Sequence, residues 1–398
     1  MAGWQQVKIG DVCVVERGGS PRPIEKYITE DKNGINWIKI GDTTESMYIT
    51  KTAQKIIPEG AKKSRFVQSG DFLLSNSMSF GRPYILSIDG CIHDGWLVLR
   101  DKDNIFDKHF LYYCLSAPVT YAKFKSMAVG GVVNNLNSEM VRNVEIPLPP
   151  LEEQRRIAAL LDKVSNLIGK RRAQLDKLDL LVKARFMEMF GDPVLNPYGY
   201  VVQSLQSLIN DGVITYHLDG NHGGDYPRNE EFVDSGVPYI GANCISKGKV
   251  DFRYAKYLTS ERAGKLRKGI AQNGDVLFAH NATVGPVAVL ETEEPKVILS
   301  TSLTAYRCNP NVILPNYLKV YMQSQGFIRQ YSEEMKQTTR NQVPITAQKK
   351  YLFLLPPMAL QTQFNAFVVQ TDKSKLTIQQ SLDKLEILKK ALMQQYFG

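Results

Sequence analysis

The residues of this 398-residue chain that are best suited to chemistry lie in polar, glycine-containing loops that recur in two halves of the sequence. The loops that correspond to each other are 16–27 with 217–232, 75–83 with 279–286, and 129–138 with 336–344. Arg, Lys, Asn and Gln read base edges in the major groove, whereas Ser, Thr and backbone N–H groups hold phosphates. The candidate contacts to nucleic acid in these loops are Arg17, Ser20, Arg22, Ser77, Arg82, Asn134, Asn135, Asn137, Asn221, His222, Asn281, Thr283, Thr338, Thr339, Arg340 and Asn341.

The same loops have a second interpretation, as ordinary surface turns. Their recurrence at corresponding points of both halves favours a binding role. Their tips nevertheless differ, with "NNLN" in one half against "RNQV" in the other, and "SNSMS" against "AHNAT". A shared framework with different tips is what two units that bind two different sequences would need.

Motifs of catalysis are largely missing. The tetrapeptides "LPPL" (148–151) and "LPPM" (355–358) lack both the polar and the aromatic residue of an amino-methyltransferase loop. No glycine-rich loop between strand and helix offers a seat for a nucleotide or for S-adenosylmethionine. The five histidines and five cysteines show no metal-ligand spacing. We therefore expect no catalytic residue, no metal site and no cofactor bound by this chain, although "EPK" at 294–296 has the final spacing of a nuclease motif.

The composition favours a folded protein with a polyanionic partner. The chain has 49 Lys and Arg against 40 Asp and Glu, a formal net charge of +9, which favours nucleic acid as a partner. The N-terminal segment has no apolar run of signal-peptide length, and no stretch of about 18 apolar residues is present. We therefore expect a cytoplasmic protein with no membrane partner and with buried free thiols.

An internal repeat spans the chain. At an offset of 207 residues, Pro149-Pro150 matches Pro356-Pro357, and "LDKL" at 175–178 matches "LDKL" at 382–385. Farther upstream the offset drifts, but "SGDFLLSNSMSFG" still resembles "NGDVLFAHNATVG". Short apolar runs between turns predict strands in each globular part, and three- and four-residue apolar spacings predict helices beside them. Each half is thus an α+β globular part followed by a long helix.

A long amphipathic helix is predicted after each proline pair, because the first turn of a helix tolerates proline. A seven-residue apolar repeat continues for about 40 residues, or roughly 60 Å of helix. Such a stripe is typical of a coiled coil, although packing of each stripe on its own globular part is the alternative. The predicted seam consists of Ile157, Leu161, Val164, Ile168, Leu175, Leu178, Val182, Ile378, Leu382, Leu385 and Leu392.

With these motifs the chain resembles the specificity (S) subunits of type I restriction-modification systems, the HsdS family. The most specific element is "IPLPPLEEQRRIAALLD", which is repeated as "FLLPPMALQTQFNAFVV". "ERGGSPRPI" and "HLDGNHGG" resemble the openings of target-recognition domains. The second copy departs from the pattern, with Met358-Ala359-Leu360 where the first copy has Leu151-Glu152-Glu153.

The resemblance implies a non-catalytic DNA-recognition subunit rather than an enzyme. Each target-recognition domain would read one half of a bipartite DNA site, and the paired helices would fix the spacer between the halves. The implied partners are double-stranded DNA, two modification (methyltransferase) subunits and two restriction (translocase and nuclease) subunits. S-adenosylmethionine, ATP and Mg would be bound by those partner subunits.

The predicted fold is α+β, with two tandem target-recognition domains, each followed by a long helix. The helices are expected to pair as an antiparallel coiled coil with pseudo-two-fold symmetry. The predicted domains are recognition domain 1 at 1–148, helical region 1 at 149–192, recognition domain 2 at 193–355 and helical region 2 at 356–398. Two alternatives stay open, a self-contained DNA methyltransferase or nuclease with an unrecognised site and a coiled-coil scaffold that binds only protein.

Overall fold

The chain forms two compact units in the computed structural model, which describes residues 3–76, 81–128, 135–336 and 341–398. Unit 1 consists of Met1–Ala173 and Gln379–Gly398, and unit 2 consists of Gln174–Ile378. Each unit therefore combines one globular part with segments of both long helices. The sequence-based division into four domains stays a prediction.

Unit 1 contains short strands and helices, as the short apolar runs predict. Its strands are β1 Gln5–Lys8, β2 Cys13–Arg17, β3 Ile28–Thr29, β4 Ile35–Ile38, β5 Tyr48–Ile49, β6 Gln54–Ile56, β7 Arg65–Val67, β8 Phe72–Ser75, β9 Pro83–Leu86, β10 Gly90–Ile92, β11 Trp96–Asp101 and β12 Glu145–Leu148. The helices that begin in this unit are α1 Ile9–Val12, α2 Pro58–Ala61, α3 Lys108–Ser116, α4 Pro118–Ala128, α5 Ser138–Arg142 and the long helix α6 Leu151–Phe190.

Unit 2 repeats this plan. Its strands are β13 Val201–Ser204, β14 Ile214–Asp219, β15 Phe232–Val233, β16 Val237–Ile240, β17 Ile245–Ser246, β18 Lys249–Val250, β19 Lys256–Leu258, β20 Ile270–Ala271, β21 Val276–Ala279, β22 Val287–Val289, β23 Val297–Leu299, β24 Leu303–Cys308 and β25 Leu352–Leu355. The helices that begin here are α7 Leu205–Asn210, α8 Ser260–Gly264, α9 Pro315–Met322, α10 Gln325–Lys336, α11 Ile345–Gln348 and the long helix α12 Met358–Phe397.

The sheets of the two units have matching topology. One five-stranded sheet has the order β3-β6-β4-β10-β7 in unit 1 and β15-β19-β16-β23-β20 in unit 2, and its central pairs β4–β10 and β16–β23 are parallel in both. The other sheet has the order β2-β11-β8-β9-β5 in unit 1 and β14-β24-β21-β22 in unit 2. The small antiparallel pairs β1–β12 and β13–β25 join the two ends of each globular part. The predicted repeat and the α+β class are confirmed.

The glutamine that follows each proline pair fixes the start of the long helix. Gln154 is buried, donates from Nε2 to Pro149 O (2.9 Å) and Ile105 O (3.0 Å), and accepts from Asp107 N–H (2.8 Å). Position for position at an offset of 207, buried Gln361 makes the same three bonds, to Pro356 O, Val312 O and Leu314 N–H. Each amide joins the start of the long helix to the loop before α3 or α9, so it anchors the long helix to the globular part that precedes it.

The long helices run antiparallel within each unit. In unit 1, Arg172 pairs with Glu386 at 2.8 Å and Arg156 lies over the ring of Tyr396. In unit 2, Lys375 binds Asp179 at 2.7 Å, and the Phe186 ring lies 5.7 Å from the Phe364 ring. In both cases residue numbers rise along α6 as they fall along α12, which confirms the predicted pairing of the two helices.

The predicted seam residues differ in their burial. Seven are buried, namely Ile157, Leu161, Val164, Ile168, Val182, Leu382 and Leu392, whereas Leu175, Leu178, Ile378 and Leu385 are partly exposed. The apolar pattern omits polar residues on the inner face of α12. Thr371 is buried, Lys375 bonds to two carboxylates, and the Lys389 ammonium lies 5.8 Å from the Tyr113 ring centroid. The seam is therefore less uniformly apolar than the heptad repeat predicts.

The last turn of each long helix packs on a globular core. In unit 2 the Phe190 ring lies 4.9 Å from that of Tyr317, and in unit 1 the Phe397 ring lies 5.4 Å from that of Phe110. These pairs are again related by the offset of 207 residues. Aromatic contacts of this kind add to the burial energy of the rings, so both ends of each helix are held by tertiary structure.

Candidate nucleic-acid interface

Three of the predicted DNA contacts in unit 1 converge on one residue, Asp94. Ser20 Oγ donates to Asp94 Oδ1 at 2.9 Å, Arg22 Nη2 lies 3.4 Å from Asp94 Oδ2, and Arg17 Nε donates to Asp94 O at 3.1 Å. Partial burial raises the pKa of Asp94. The hydrogen bond from Ser20 and the charge of Arg17 help to outweigh this effect, so the pKa lies below its ordinary value. Asp94 therefore holds the opening loop in place as an anion.

A close backbone approach explains the glycine in each opening loop. A Cβ on Gly18 would lie 2.1 Å from His93 O, and a Cβ on Gly220 would lie 2.3 Å from the Ser300 carbonyl carbon. No side chain fits at such distances, so the loops 16–27 and 217–232 each press against the turn before a core strand. The resemblance between "ERGGS" and "HLDGNHGG" thus has a steric basis.

A second loop meets a third in unit 1 through backbone hydrogen bonds. Asn76 is buried, its N–H donates to Gly95 O at 3.0 Å, and its O accepts from Leu136 N–H at 3.0 Å. The Asn76 amide also donates to Asp94 O at 2.8 Å. The loop 16–27 and the described ends of the loops 75–83 and 129–138 are therefore tied together around Asn76 and Asp94.

Unit 2 repeats this junction with different side chains. The N–H of buried His280 donates to Ser302 O at 3.0 Å, and His280 O accepts from Val343 N–H at 2.8 Å. These bonds correspond to those of Asn76. The predicted contacts Asn281, Thr283 and Asn341 are brought together here, because Asn341 Nδ2 donates to Ala282 O at 3.0 Å and Asn281 forms a bridge with Gln342.

The opening loop of unit 2 joins the same region. Exposed His222 Nε2 lies 2.7 Å from Asp219 Oδ2. Burial is the main cause that lowers the pKa of His280. The nearby Asp219 raises this pKa and the nearby His222 lowers it. Asn221 is 3% exposed, and both atoms of its amide bond to the Lys268 backbone. His222 thus presents a ring to solvent, whereas the Asn221 side chain supports the loop from inside.

The remaining predicted contacts are spread more widely. The exposed Arg82 guanidinium donates to Thr44 O at 3.3 Å and lies over the Tyr84 ring. Asn137 caps α5 by accepting from Met140 N–H, and Asn135 is partly buried. Five predicted contacts lie outside the described residues, namely Ser77, Asn134, Thr338, Thr339 and Arg340.

Residues that the loop pattern overlooked line a groove of about 700 Å³ beside Arg22. Lys39, Trp37 and His93 form part of its wall together with Asp94. Burial lowers the pKa of His93, which favours the neutral ring. The only sequence signal was the polar "HD" step of "IHDGW" between two apolar runs, and it lies 74 residues from Ser20.

Two other features, a metal-binding cluster and a membrane-spanning helix, were sought among the described residues. Among them, no three His, Cys, Asp or Glu side chains are grouped as they would be around a metal ion. Within the same residues, no helix has the length and apolar character required to span a membrane.

Comparison with known proteins shows which proteins this chain is similar to. Residues 1–180 match the family described as "Type I restriction modification DNA specificity domain". The chain is 22% identical to the MjaIX specificity subunit of Methanocaldococcus jannaschii over 98% of its own length and 91% of that protein. It is 23% identical to the MjaVIII specificity subunit of the same organism over 71% of its length, and this match spans 64% of the relative.

A solved structure shows the same fold across the whole chain. The S subunit of a type I restriction-modification system from M. genitalium aligns with a TM-score of 0.58 at 14% identity, covering 100% of this chain and 96% of the other. The family resemblance that the sequence predicts is confirmed. The chain is therefore similar, in sequence and in fold, to the specificity subunits of type I restriction-modification systems.

Proposed function

We propose that each unit of this specificity subunit reads one half of a bipartite DNA site. One observation carries the proposal, namely that the same three-loop junction occurs in both units on the same framework but with different exposed side chains. Around Asp94 the groups available to a base or phosphate are Arg17, Ser20 and Arg22, whereas around His280 they are His222, Asn281 and Asn341. Different donors on matching scaffolds favour two different half-sites.

The paired long helices set the spacer between the half-sites in this proposal. A duplex presents the same groove again only after about one helical turn, roughly 34 Å. The support comes from the anchoring of both helix ends, by Gln154 and Gln361 at the start and by Phe190 and Phe397 at the end. Because each helix is held at both ends, a change in its length would change the distance between the two DNA-reading surfaces.

Two modification subunits dock on the long helices, one on each of two equivalent apolar pairs. Leu180 and Leu181 are 63% and 48% exposed, and Ile387 and Leu388 are 69% and 45% exposed. The second pair follows the first by 207 residues. Adjacent large apolar side chains left in water at equivalent positions favour a contact with a repeated partner. The two restriction subunits join through these partners.

The chemistry of the complex belongs to the partners. In this proposal the chain is non-catalytic and binds no cofactor, whereas S-adenosylmethionine, ATP and Mg act on the modification and restriction subunits in the cytoplasm. Turnover by the purified chain alone, with DNA and S-adenosylmethionine or with Mg²⁺, would establish the alternative of a self-contained enzyme.

An arginine substitution tests DNA binding by unit 1. The Arg22 side chain is 83% exposed and makes only a long contact to Asp94. If Arg22 binds a phosphate, Arg22→Ala makes the negative slope of log K against log salt shallower by about one. The matched control is Arg253→Ala, which removes an equally exposed charge (85%) outside the predicted loops. Fluorescence anisotropy with a cognate duplex measures both, and equal losses in the two variants would refute a specific contact at Arg22.

A further inference from the structure

Unit 2 contains a cavity of about 570 Å³ with an unusual lining of charge. It lies between α9, the β17–β18 hairpin and the portions of α6 and α12 that belong to this unit. Its charged residues are the lysines Lys183, Lys247, Lys319 and Lys375 and the carboxylates Asp179 and Asp372. The cavity therefore carries a net positive charge.

The lysines in the cavity differ in whether a carboxylate neutralises their charge. Lys375 Nζ binds Asp179 Oδ1 at 2.7 Å and Asp372 Oδ1 at 3.2 Å, so both carboxylates are used by one ammonium group. The ammonium group of Lys319, on α9, forms no ion pair and donates no hydrogen bond within the described part of the chain. Burial lowers the pKa of Lys319, which shows that the surroundings disfavour its charge. An anion at this point would supply the missing counter-charge.

The shared scaffold does not require these lysines. At the offset of 207 residues, Lys319 corresponds to Tyr112 and Lys375 corresponds to Ile168. In unit 1 the side chains between α3 and α6 are instead bonded directly to one another. Asp162 accepts from Tyr113 Oη at 2.8 Å and contacts His109 Nδ1 at 2.5 Å. The lysine-lined cavity is therefore a feature of unit 2 and not a by-product of the repeated fold.

The other walls of the cavity suit the uncharged part of a ligand. Val182, Ile245, Val287 and Val368 give apolar surface, and Gln323 stands at the edge with its Nε2 donating to Val287 O at 3.2 Å. The volume lies within the range of small-molecule sites, about 300–1,000 Å³. A ligand with one anionic end and one apolar or aromatic body would use both kinds of wall.

We propose that this cavity binds a phosphate monoester of mononucleotide size, with its phosphate on Lys319. Lys183 and Lys247 are exposed residues of the cavity lining and add positive charge on the path of entry. The apolar side chains receive the nucleoside. Bound ligand would connect α9 and the β17–β18 hairpin with the adjoining segments of the long helices, so it would stabilise unit 2.

Calorimetric titration of the full-length chain tests the proposal without DNA or partner subunits. The probes are AMP, adenosine and inorganic phosphate at low salt. Saturable binding of AMP is expected, with weaker binding of inorganic phosphate and of adenosine, because each supplies only half of the contacts. Absence of saturable AMP binding up to about 10 mM, which corresponds to less than 3 kcal/mol of binding energy, would overturn the proposal.

Matched lysine variants distinguish binding in the cavity from a general effect of the protein's positive charge on AMP. Lys319→Met keeps the aliphatic stem and should weaken AMP binding roughly tenfold or more, as loss of a charge-assisted hydrogen bond does. Lys319→Arg should retain binding. Lys373→Met removes an exposed charge of α12 that lies outside the cavity, and this variant should bind AMP as the wild type does. Equal AMP affinity in Lys319→Met and the wild type would contradict the proposal.

Melting temperatures and competition with DNA provide two further tests of the proposal. The melting temperature of Lys319→Met without ligand should equal or exceed that of the wild type, because the substitution removes a poorly compensated charge. AMP should raise the melting temperature of the wild type, Lys319→Arg and Lys373→Met, and should raise that of Lys319→Met much less. If a short DNA duplex displaces AMP, and if Lys319→Met weakens duplex binding as strongly as AMP binding, Lys319 belongs to the DNA interface and the small-molecule site is rejected.

Discussion

At the scale of single residues, His217 gives unit 2 a sensitivity to acid. The His217 ring on β14 lies edge-on to the Tyr306 ring, and its Nε2 is 3.2 Å from Gln348 Oε1. Its Nδ1 has no hydrogen-bond partner among the described residues. Burial is the main cause that lowers the pKa of His217 to about 4. Since the ordinary pKa of histidine is near 6.5, the folded unit resists a proton that the unfolded chain accepts.

The sign of the pH effect follows from this difference. The stabilisation from neutral His217 is complete above about pH 6.5 and is lost as pH falls towards 4, amounting to about 2 kcal/mol by pH 5. Urea denaturation at pH 7.5 and pH 5 should therefore show a smaller acid-induced loss in His217→Gln than in the wild type. His222→Gln, at an exposed histidine, is the control and should behave as the wild type. Equal losses in all three proteins would refute the role of His217.

Some site residues could be predicted from the sequence, whereas others depend on tertiary contacts. The types and positions of Arg17, Ser20 and Arg22 follow from the loop "ERGGSPR", and the structure brings them together. The residue that joins them, Asp94, comes from a distant turn, so no local pattern predicts it. Asn221 looks equivalent to other loop amides in sequence, but its burial is a property of the tertiary fold.

At the scale of secondary structure, the buried glutamines after the proline pairs are the clearest test of the repeat. Gln154→Leu and Gln361→Leu each remove an amide that makes three hydrogen bonds and leave buried partners unpaired. Each variant should lose about 3 kcal/mol of unfolding free energy. Gln370→Leu, at an exposed position of α12, should change it by less than about 0.5 kcal/mol.

Circular dichroism during urea denaturation measures these three variants. Losses of similar size in Gln154→Leu and Gln361→Leu would show that the two anchors are energetically equivalent. A loss in only one of them would show that the second helix start, which lacks the Glu pair, is held in another way.

The elements could be predicted where a local pattern determines them. The proline pairs and apolar heptads predict α6 and α12, and the repeat predicts matching sheets. The polar inner-face residues Thr371, Lys375 and Lys389 were beyond that pattern, because a buried lysine is tolerated only when tertiary partners compensate it. For Lys375 those partners are Asp179 and Asp372.

The proposed role of the long helices as a spacer predicts the effect of an insertion. Four extra residues between Leu175 and Leu178 form a stutter that rewinds a coiled coil locally. In the assembled complex this change should alter the number of base pairs between the two half-sites, or impair assembly, and leave the half-sites unchanged. Sequencing of duplexes selected by the variant checks the result. A change in the half-sites themselves would contradict the spacer role.

At the scale of the whole molecule, the repeated apolar pairs predict the stoichiometry of the complex. A charge at the apolar pair of one unit should prevent docking of one modification subunit only. The double variants Leu180→Glu with Leu181→Glu, and Ile387→Glu with Leu388→Glu, should each bind one partner copy instead of two. Combination of all four substitutions should abolish binding.

Light scattering of the purified complexes distinguishes these outcomes by mass. The control is Leu376→Glu, at a residue that is 58% exposed but corresponds to Gly169 in the repeat. It should retain two partner copies. Two copies bound to all of the paired variants would place the docking surface elsewhere.

The most direct test of the central claim is selection of DNA from random duplexes by the chain together with its modification partner. Two different units on one framework predict a site of two specific half-sequences that differ from each other, separated by a fixed number of unspecified base pairs. Selection of one contiguous sequence, or of no sequence at all, would contradict the claim that each unit reads one half of the site.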